Sequence, residues 1–381
     1  MTAIAAALEA RLPVLLADIE ALVRVESPSE DLAAVADCAR VVAGLGTRLT
    51  GSAPEWLDGS GRPALRWRFG SGDRVLLLGH FDTVWPVGSL AGHPFEVAGG
   101  RLTGPGCFDM KAGVVQLFHA LSVLDDLDGV SVLLTGDEEI GSPTSRTLIE
   151  DEARRTRAVL VLEASEGGAL KTARKGVSGY ELNIGGRAAH AGLEPHRGVN
   201  TTTELAHQVL ALSTLADPAT GTTVTPTVAS SGTTRNTVPD AARLLVDVRV
   251  ETAAEQERVD RAVRGLAPVL AGASVKLSGG PDRPPLQASA SAELFGLARN
   301  HYAELGFGAL RGVAVGGGSD GNLTAGAGTP TLDGLGAVGG GAHADDEHVL
   351  VAELPRRAAL VAALAASLVR EPPAAAGGVR S

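Results

Sequence analysis

Aromatic residues are scarce in this chain. Phe, Trp and Tyr make up 3% of 381 residues, so a core has to be filled with Ala, Val and Leu. Cysteine is scarcer still: Cys38 and Cys107 are the two present. They exclude a disulfide framework, and neither has the paired spacing of a structural zinc site. No apolar run approaches the roughly 18 residues of a membrane span; the longest, at 358–369, has the length of a buried helix. The N-terminal stretch is interrupted by Glu9, Arg11, Asp18 and Glu20. It reads as an amphipathic helix rather than a signal core, so a cytoplasmic location without membrane attachment is expected. Basic residues are outnumbered, 33 against 44 acidic, for a formal net charge of −11. That balance excludes duplex nucleic acid as the main partner, because phosphate binding needs a concentrated basic surface. It leaves room for a small anionic molecule held by local cations, and carboxylates suit divalent metals.

What is present is an ordinary apolar content of 44%, enough for a packed core and too much for a disordered chain. Short apolar runs bounded by glycine at 74–79 (RVLLLG), 130–135 (VSVLLT) and 158–163 (AVLVLE) have the texture of buried parallel strands. Helical periodicity appears up to about Glu26, at 111–124 and at 144–154, so strand and helix alternate as in an α/β sheet. After about Gly176 the texture changes. Strands are expected at 180–184, 222–229 and 243–250, with helices at 200–212 and 253–270, forming a small sheet with two helices on one face. The turn-rich GGPDRPP (279–285) closes it. The α/β texture then resumes, with a helix near 292–305, strands at 313–315 and 329–333, and a closing helix from Pro355. The expected organisation is a catalytic domain in two parts, 1–175 and 285–381, interrupted by an α+β domain at 176–284. The Ala/Gly-rich tail from Glu371 is expected to be disordered.

Each early strand runs into a polar cluster: GHFDTV (79–84), TGDEEIGS (135–142) and Glu163. Ligands bind beyond the carboxyl ends of strands in open α/β sheets, so His80, Asp82, Glu138, Glu139 and Glu163 should converge there. GPGCFDMKAG (104–113) places Asp109 in a Gly-rich loop before a helix, and GGGAHADDEHV (339–349) places His343 in another. Two histidines with several carboxylates make a two-metal site, in which a bridging carboxylate must offset the repulsion between the cations. Asp82, two residues after His80, suits an orienting partner for the imidazole. Of the adjacent Glu138 and Glu139, one can hold metal while the other takes a proton from water.

In these motifs, and in their order along nearly the whole chain, the sequence resembles the M20 family of co-catalytic zinc metallopeptidases, within it the glutamate carboxypeptidase (carboxypeptidase G-like) group. The resemblance implies a mostly parallel-sheet metallopeptidase domain with an inserted ferredoxin-like lid and dimerisation domain. It implies two Zn2+ per subunit, with Co2+ or Mn2+ as substitutes. His80, Asp109 and Glu163 would bind one ion, and His343, Asp109 and Glu139 the other; Asp109 bridges, Asp82 orients His80 and Glu138 is the general base. GRAAHAG (186–192) resembles the lid motif whose histidine, here His190, reaches the partner subunit's active site and stabilises the oxyanion. RNTVP (235–239) and DVR (247–249) imply Asn236 and Arg249 as substrate-binding residues, and Lys171 and Arg283 sit where the group holds a C-terminal glutamate. The last motif departs from the family's commoner His-Ser-Asp and His-Thr-Pro forms but keeps His343 and Glu347. The implied activity is a two-zinc metallocarboxypeptidase that hydrolyses the amide to a C-terminal amino acid, glutamate being the candidate, with metal-activated water. The implied partners are a small N-acyl amino acid or peptide substrate and a second copy of the chain, joined through the lid.

Other readings compete. A deacylase of the same family, acetylornithine deacetylase-like, would share metals and chemistry; a non-catalytic metal-binding protein would share the fold. GGGSDG (316–321) fits G-x-G-x-x-G, with Asp333 placed as a ribose acid, and so admits an NAD-dependent oxidoreductase; the helix after it, 323–328, is too short and Gly-rich for that fold. Asp109 alone would also serve as an N-cap. Met110 and Trp85 read as packing, and His93, His119, His196, His207, His301 and His348 as structural or surface residues.

Overall fold

The computed structural model describes residues 2–59 and 61–370; the tail expected to be disordered lies outside the described residues. Contacts divide the chain into two units: Met1–Ala173 with Ala288–Ala314 and Ser319–Ser381, and Arg174–Gln287 with Val315–Gly318. The short return at Val315–Gly318 had no signal in the sequence.

The first unit is built on a six-stranded sheet in the order Glu55–Gly59, Arg62–Arg68, Val130–Thr135, Val75–His80, Ala158–Val161, Thr331–Leu332. The last four are mutually parallel, and the first two form a hairpin that adds antiparallel to them. Every residue of VLLLGH, VSVLLT and AVLV is buried, as a strand covered on both faces requires. Period-two alternation sends Val75 and Leu77 into one apolar cluster and Leu76 and Leu78 into another. The first cluster is covered by helices Thr2–Ala10, Leu12–Val23, Leu32–Thr50, Ala112–Leu121 and Leu354–Arg370, the second by Arg146–Arg155 and Asp320–Gly326. The apolar run noticed near the C-terminus is the core of Leu354–Arg370, with Ala358 through Ala365 fully buried.

Leu32–Thr50 was not anticipated, although its ends were legible. Asp31 accepts from the N–H groups of Ala33 and Ala34, and Gly51 follows the last turn with φ 74°, a cap that glycine adopts without steric cost.

The second unit runs strand Gly176–Gly185, helix Thr201–Ser213, strands Thr223–Ser231 and Ala241–Val250, helix Ala253–Arg264 and strand Ser274–Arg283. The sheet is antiparallel in the order Thr223–Ser231, Ala241–Val250, Gly176–Gly185, Ser274–Arg283, which is ferredoxin-like. Leu182, Leu244, Val246 and Val248 pack beneath Leu205, Leu212, Val259 and Val263 of the two helices. The second helix stops at Arg264 rather than continuing to 270. The Glu204 carboxylate accepts from the N–H groups of Val269 and Leu270, and Gln208 Nε2 donates to the Ala267 carbonyl; these bonds hold that stretch as a loop.

Two glycines in Leu32–Thr50 give a test of packing. A Cβ on Gly46 would lie 2.5 Å from Trp67 Cζ2 and 2.8 Å from the Phe118 ring, while one on Gly44 would meet nothing within 4 Å. Trp67 and Phe118 are locked edge to face, with centroids 5.0 Å apart. Gly44→Ala is expected to stabilise by about 0.5–1 kcal/mol through helix propensity. Gly46→Ala is expected to destabilise, because overpacking of about 1–3 kcal/mol exceeds that gain. Urea unfolding of both variants checks the opposite signs.

Candidate metal centre

Register explains why the acids meet. His80 is the last residue of its strand and lies across from Thr135, while Leu78 lies across from Val161. The stretches that leave these strands therefore emerge side by side at one sheet edge and carry His80, the turn Glu138–Ile140 and Glu163. Asp109 arrives from the loop after Gly106, whose φ of 69° brings it within what would be 2.4 Å of the Thr83 methyl if it carried a Cβ. His343 arrives from the last Gly-rich loop with φ 63°. A left-handed backbone at a non-glycine residue is strained and clusters at functional sites.

The Asp109 carboxylate stands between two imidazoles. Its Oδ1 is 3.4 Å from His80 Nε2 and its Oδ2 is 3.4 Å from His343 Nε2. Glu163 Oε1 lies 3.5 Å from His80 Nε2, and Glu139 Oε2 lies 3.2 Å from His343 Nε2. His80 Nε2, Asp109 Oδ1 and Glu139 Oε1 are buried without a hydrogen-bond partner. These separations, 3.2–3.5 Å, lie at or beyond the long end of a hydrogen bond and match the edges of a tetrahedral shell with bonds of about 2.1 Å. One atom each from His80, Asp109 and Glu139, and likewise from His80, Glu138 and Glu163, lies within 4.8 Å of the others. The donor set fits divalent metal.

Asp82 does more than face the imidazole. Its backbone carbonyl is 3.0 Å and its Oδ1 3.4 Å from His80 Nδ1. The same carboxylate accepts from Ser29 Oγ at 2.6 Å and from the N–H groups of Glu138 and Glu139 at 3.2 and 3.1 Å. Asp82 thereby orients the His80 ring and holds the backbone of the Glu138–Glu139 turn. Met110 is packed, as expected, and its Sδ also accepts from the His80 N–H at 3.3 Å. Trp85, read as packing, stacks on His93 and donates Nε1–H to Glu347 at 2.7 Å. Asp109 caps no helix: Ala112–Leu121 begins at Lys111 without a side-chain cap.

The charges respond to one another. Burial alone would lower the His80 imidazole, but the Asp109, Asp82 and Glu163 carboxylates outweigh it and raise it well above its ordinary value. Asp109 and Glu139 push His343 up to about 10. Burial would raise Asp109, yet the two histidines hold its carboxyl far below the usual range. Burial raises Glu139.

The remaining candidates fall in different places. Lys171 lies in the first unit on the strand Leu170–Arg174, its N–H bonded to the Asp333 carbonyl, and its charge helps lower Asp109. His190, Asn236, Arg249 and Arg283 belong to the second unit. His190 is exposed, and its Nδ1 accepts from the N–H groups of Gly192 and Leu193. Asn236 is exposed, with its carbonyl bonded to the Ala191 N–H. The Arg249 guanidinium is held on the Asp247 carboxylate through Nε and Nη2. Arg283 is 5% exposed, so it is no surface charge. The dinucleotide-like loop has a structural account: Ser319 caps the short helix Asp320–Gly326, and the buried Asp333 carboxylate accepts from Ser319 Oγ at 2.6 Å, which removes it as a ribose acid.

The family described as "Peptidase family M20/M25/M40" matches residues 76–367. Carboxypeptidase G2 of Pseudomonas sp. (strain RS-16) is 36% identical over 309 residues, covering 77% of this chain and 73% of that one. A succinyl-diaminopimelate desuccinylase of Methylorubrum extorquens (strain PA1) is 30% identical over 326 residues, 77% of this chain and 82% of that one. Among solved structures, the aminopeptidase PepT from Bacillus cereus superposes with a TM-score of 0.78 at 22% identity, over 94% of this chain and 99% of that chain.

A cation entering this centre must displace the protons that the carboxylates hold on His80 and His343. Zinc uptake is therefore expected to release protons and to tighten as pH rises toward about 10, the value to which His343 is pushed. Calorimetry in buffers of different ionisation enthalpy reads the release, and uptake independent of pH would contradict the ligand set.

Proposed function

The chain belongs to peptidase family M20/M25/M40 and is a hydrolase of the metallopeptidase kind, and from that premise we propose that it is a two-zinc carboxypeptidase releasing a C-terminal amino acid, glutamate being the candidate. The observation that carries the reading is the Asp109 carboxylate, flanked by His80 and His343 at 3.4 Å each, with ligand atoms left unpartnered in the interior. Bound there, divalent cations supply Lewis acidity toward the scissile carbonyl and bring the pKa of a water toward ~7. Zinc is our reading, with cobalt or manganese able to replace it.

Glu138 takes the proton of the attacking water and passes it to the leaving nitrogen, while Glu139 and Glu163 serve as ligands. Its backbone, tied to Asp82, holds the carboxylate at a fixed height above the sheet edge. His190 suits an oxyanion donor because two backbone N–H groups point at Nδ1, which leaves Nε2 as the ring atom that can donate. We assign Asn236 to the same developing charge. Arg249 offers a fork pre-oriented by Asp247 to the substrate carboxylate, and Lys171 and Arg283 are assigned to the same group.

A homodimer through the second unit is part of the reading. The strand Thr223–Ser231 is an edge of its sheet, and Val228 on it and Leu210 on the helix Thr201–Ser213 are 50% and 67% exposed. An open edge beside exposed apolar side chains invites pairing. No helix among the described residues is long and apolar enough to cross a membrane, and we propose a cytoplasmic enzyme acting on small molecules.

A second reading, an N-acyl amino acid deacylase, is favoured by the 30% identity to a desuccinylase. A zinc-loaded hydrolysis screen of N-acyl-glutamates, dipeptides, N-acetyl-ornithine and succinyl-diaminopimelate separates the two. Against the preferred substrate, Glu138→Gln is expected to lower kcat by about 10²–10⁴-fold with zinc content unchanged, whereas Glu139→Gln loses zinc. Activity untouched by Glu138→Gln, or the reverse pattern of zinc loss, would overturn the assignment.

A further inference from the structure

Glu347, four residues after His343, is fully buried. Its Oε1 accepts from the N–H groups of Phe108 at 2.9 Å and Asp109 at 3.0 Å; its Oε2 accepts from the Gly106 N–H at 2.9 Å and Trp85 Nε1 at 2.7 Å. Both oxygens are thus used twice. The donors are not scattered. Three come from the loop that delivers Asp109, one of them the amide of Asp109 itself, and the fourth comes from the segment that leaves the His80 strand. The acceptor belongs to the loop that delivers His343. A single carboxylate therefore ties together the three segments that carry His80, Asp109 and His343.

We propose that Glu347 is a positioning residue for the metal pair, holding the Asp109 backbone where its carboxylate can divide its two oxygens between His80 and His343. The proposal rests on the two-metal reading. A bridging carboxylate tolerates less displacement than a terminal ligand, since any shift toward one ion is a shift away from the other; ligand sets of this kind need placement within about 0.5 Å. The demand on residue 347 is chemical as well as steric. Glutamine keeps the length of the side chain but replaces one doubly used acceptor with an N–H2 group, which turns donors against donors.

The test is zinc affinity, measured by competition with a chelator at 25 °C on protein verified as folded by circular dichroism. Hydrogen exchange over residues 104–111 accompanies it. Glu347→Gln is expected to hold the second equivalent of Zn2+ about 10–100-fold more weakly, the range typical of partners that orient ligands, with faster exchange at 106–109. Trp85→Phe removes one donor of the four and no backbone contact, and is expected to weaken it about fivefold. A residue that only stabilises the loop would lower Tm yet leave the affinity of the still-folded protein unchanged. Should Glu347→Gln not fold, Trp85→Phe decides alone. Wild-type protein that binds two equivalents, with folded variants that match it, overturns the positioning role; wild-type protein that fails to bind two overturns the two-metal reading instead.

Discussion

The Asp109 carboxylate has to serve two imidazoles at once, and the centre is arranged around that requirement. With His80 on one oxygen and His343 on the other, neither histidine can be displaced without changing the charge felt by the other. The carboxylates push His343 up to about 10 and raise His80, and the two histidines drive Asp109 down. Cations bound there, as proposed, would take the place of the histidine protons and turn the surplus of acid at the sheet edge into a ligand set.

Buried carboxylates do the same structural work elsewhere in the molecule. Asp82 accepts from Ser29 and from the amides of Glu138 and Glu139. Asp137 accepts from the amides and hydroxyls of Thr144 and Ser145. Glu204 holds the Val269–Leu270 amides in the second unit, and Glu347 gathers four donors near the centre. A buried carboxylate is costly unless its lone pairs are filled, and backbone N–H groups in loops are equally costly unless accepted. Each of these acids meets both demands together, which lets Gly-rich segments hold a definite shape without secondary structure. A net charge of −11 is thus only partly a matter of surface.

Much of the architecture was legible because it follows from local periodicity. VLLLGH, VSVLLT and AVLV are apolar at nearly every position, and such runs have nowhere to go but a sheet covered on both faces. The helix Leu32–Thr50 was missed although Asp31 and Gly51 mark its ends, because its interior Gly44 and Gly46 weaken the helical signal; Gly46 is there to admit Trp67 and Phe118. The helix at 253–264 was drawn too long because the residues after it remain apolar; Gly265 caps it and Pro268 bars its continuation, and Glu204, some sixty residues earlier, holds the loop that follows.

The sequence by itself determined which residues stand at the ends of which strands, and hence the company of His80, Glu138, Glu139 and Glu163, since strand register converts spacing into proximity. It also marked Asp109 and His343 by their glycine-rich loops. What it left open was everything carried by contacts between distant segments. The bonds from Asp82 to Ser29 and to the Glu138–Glu139 amides, the bond from Trp85 to Glu347 across 262 positions and the burial of Arg283 have no local signature. A hydrogen bond between loops depends on where the whole sheet places them, and only the folded chain decides that.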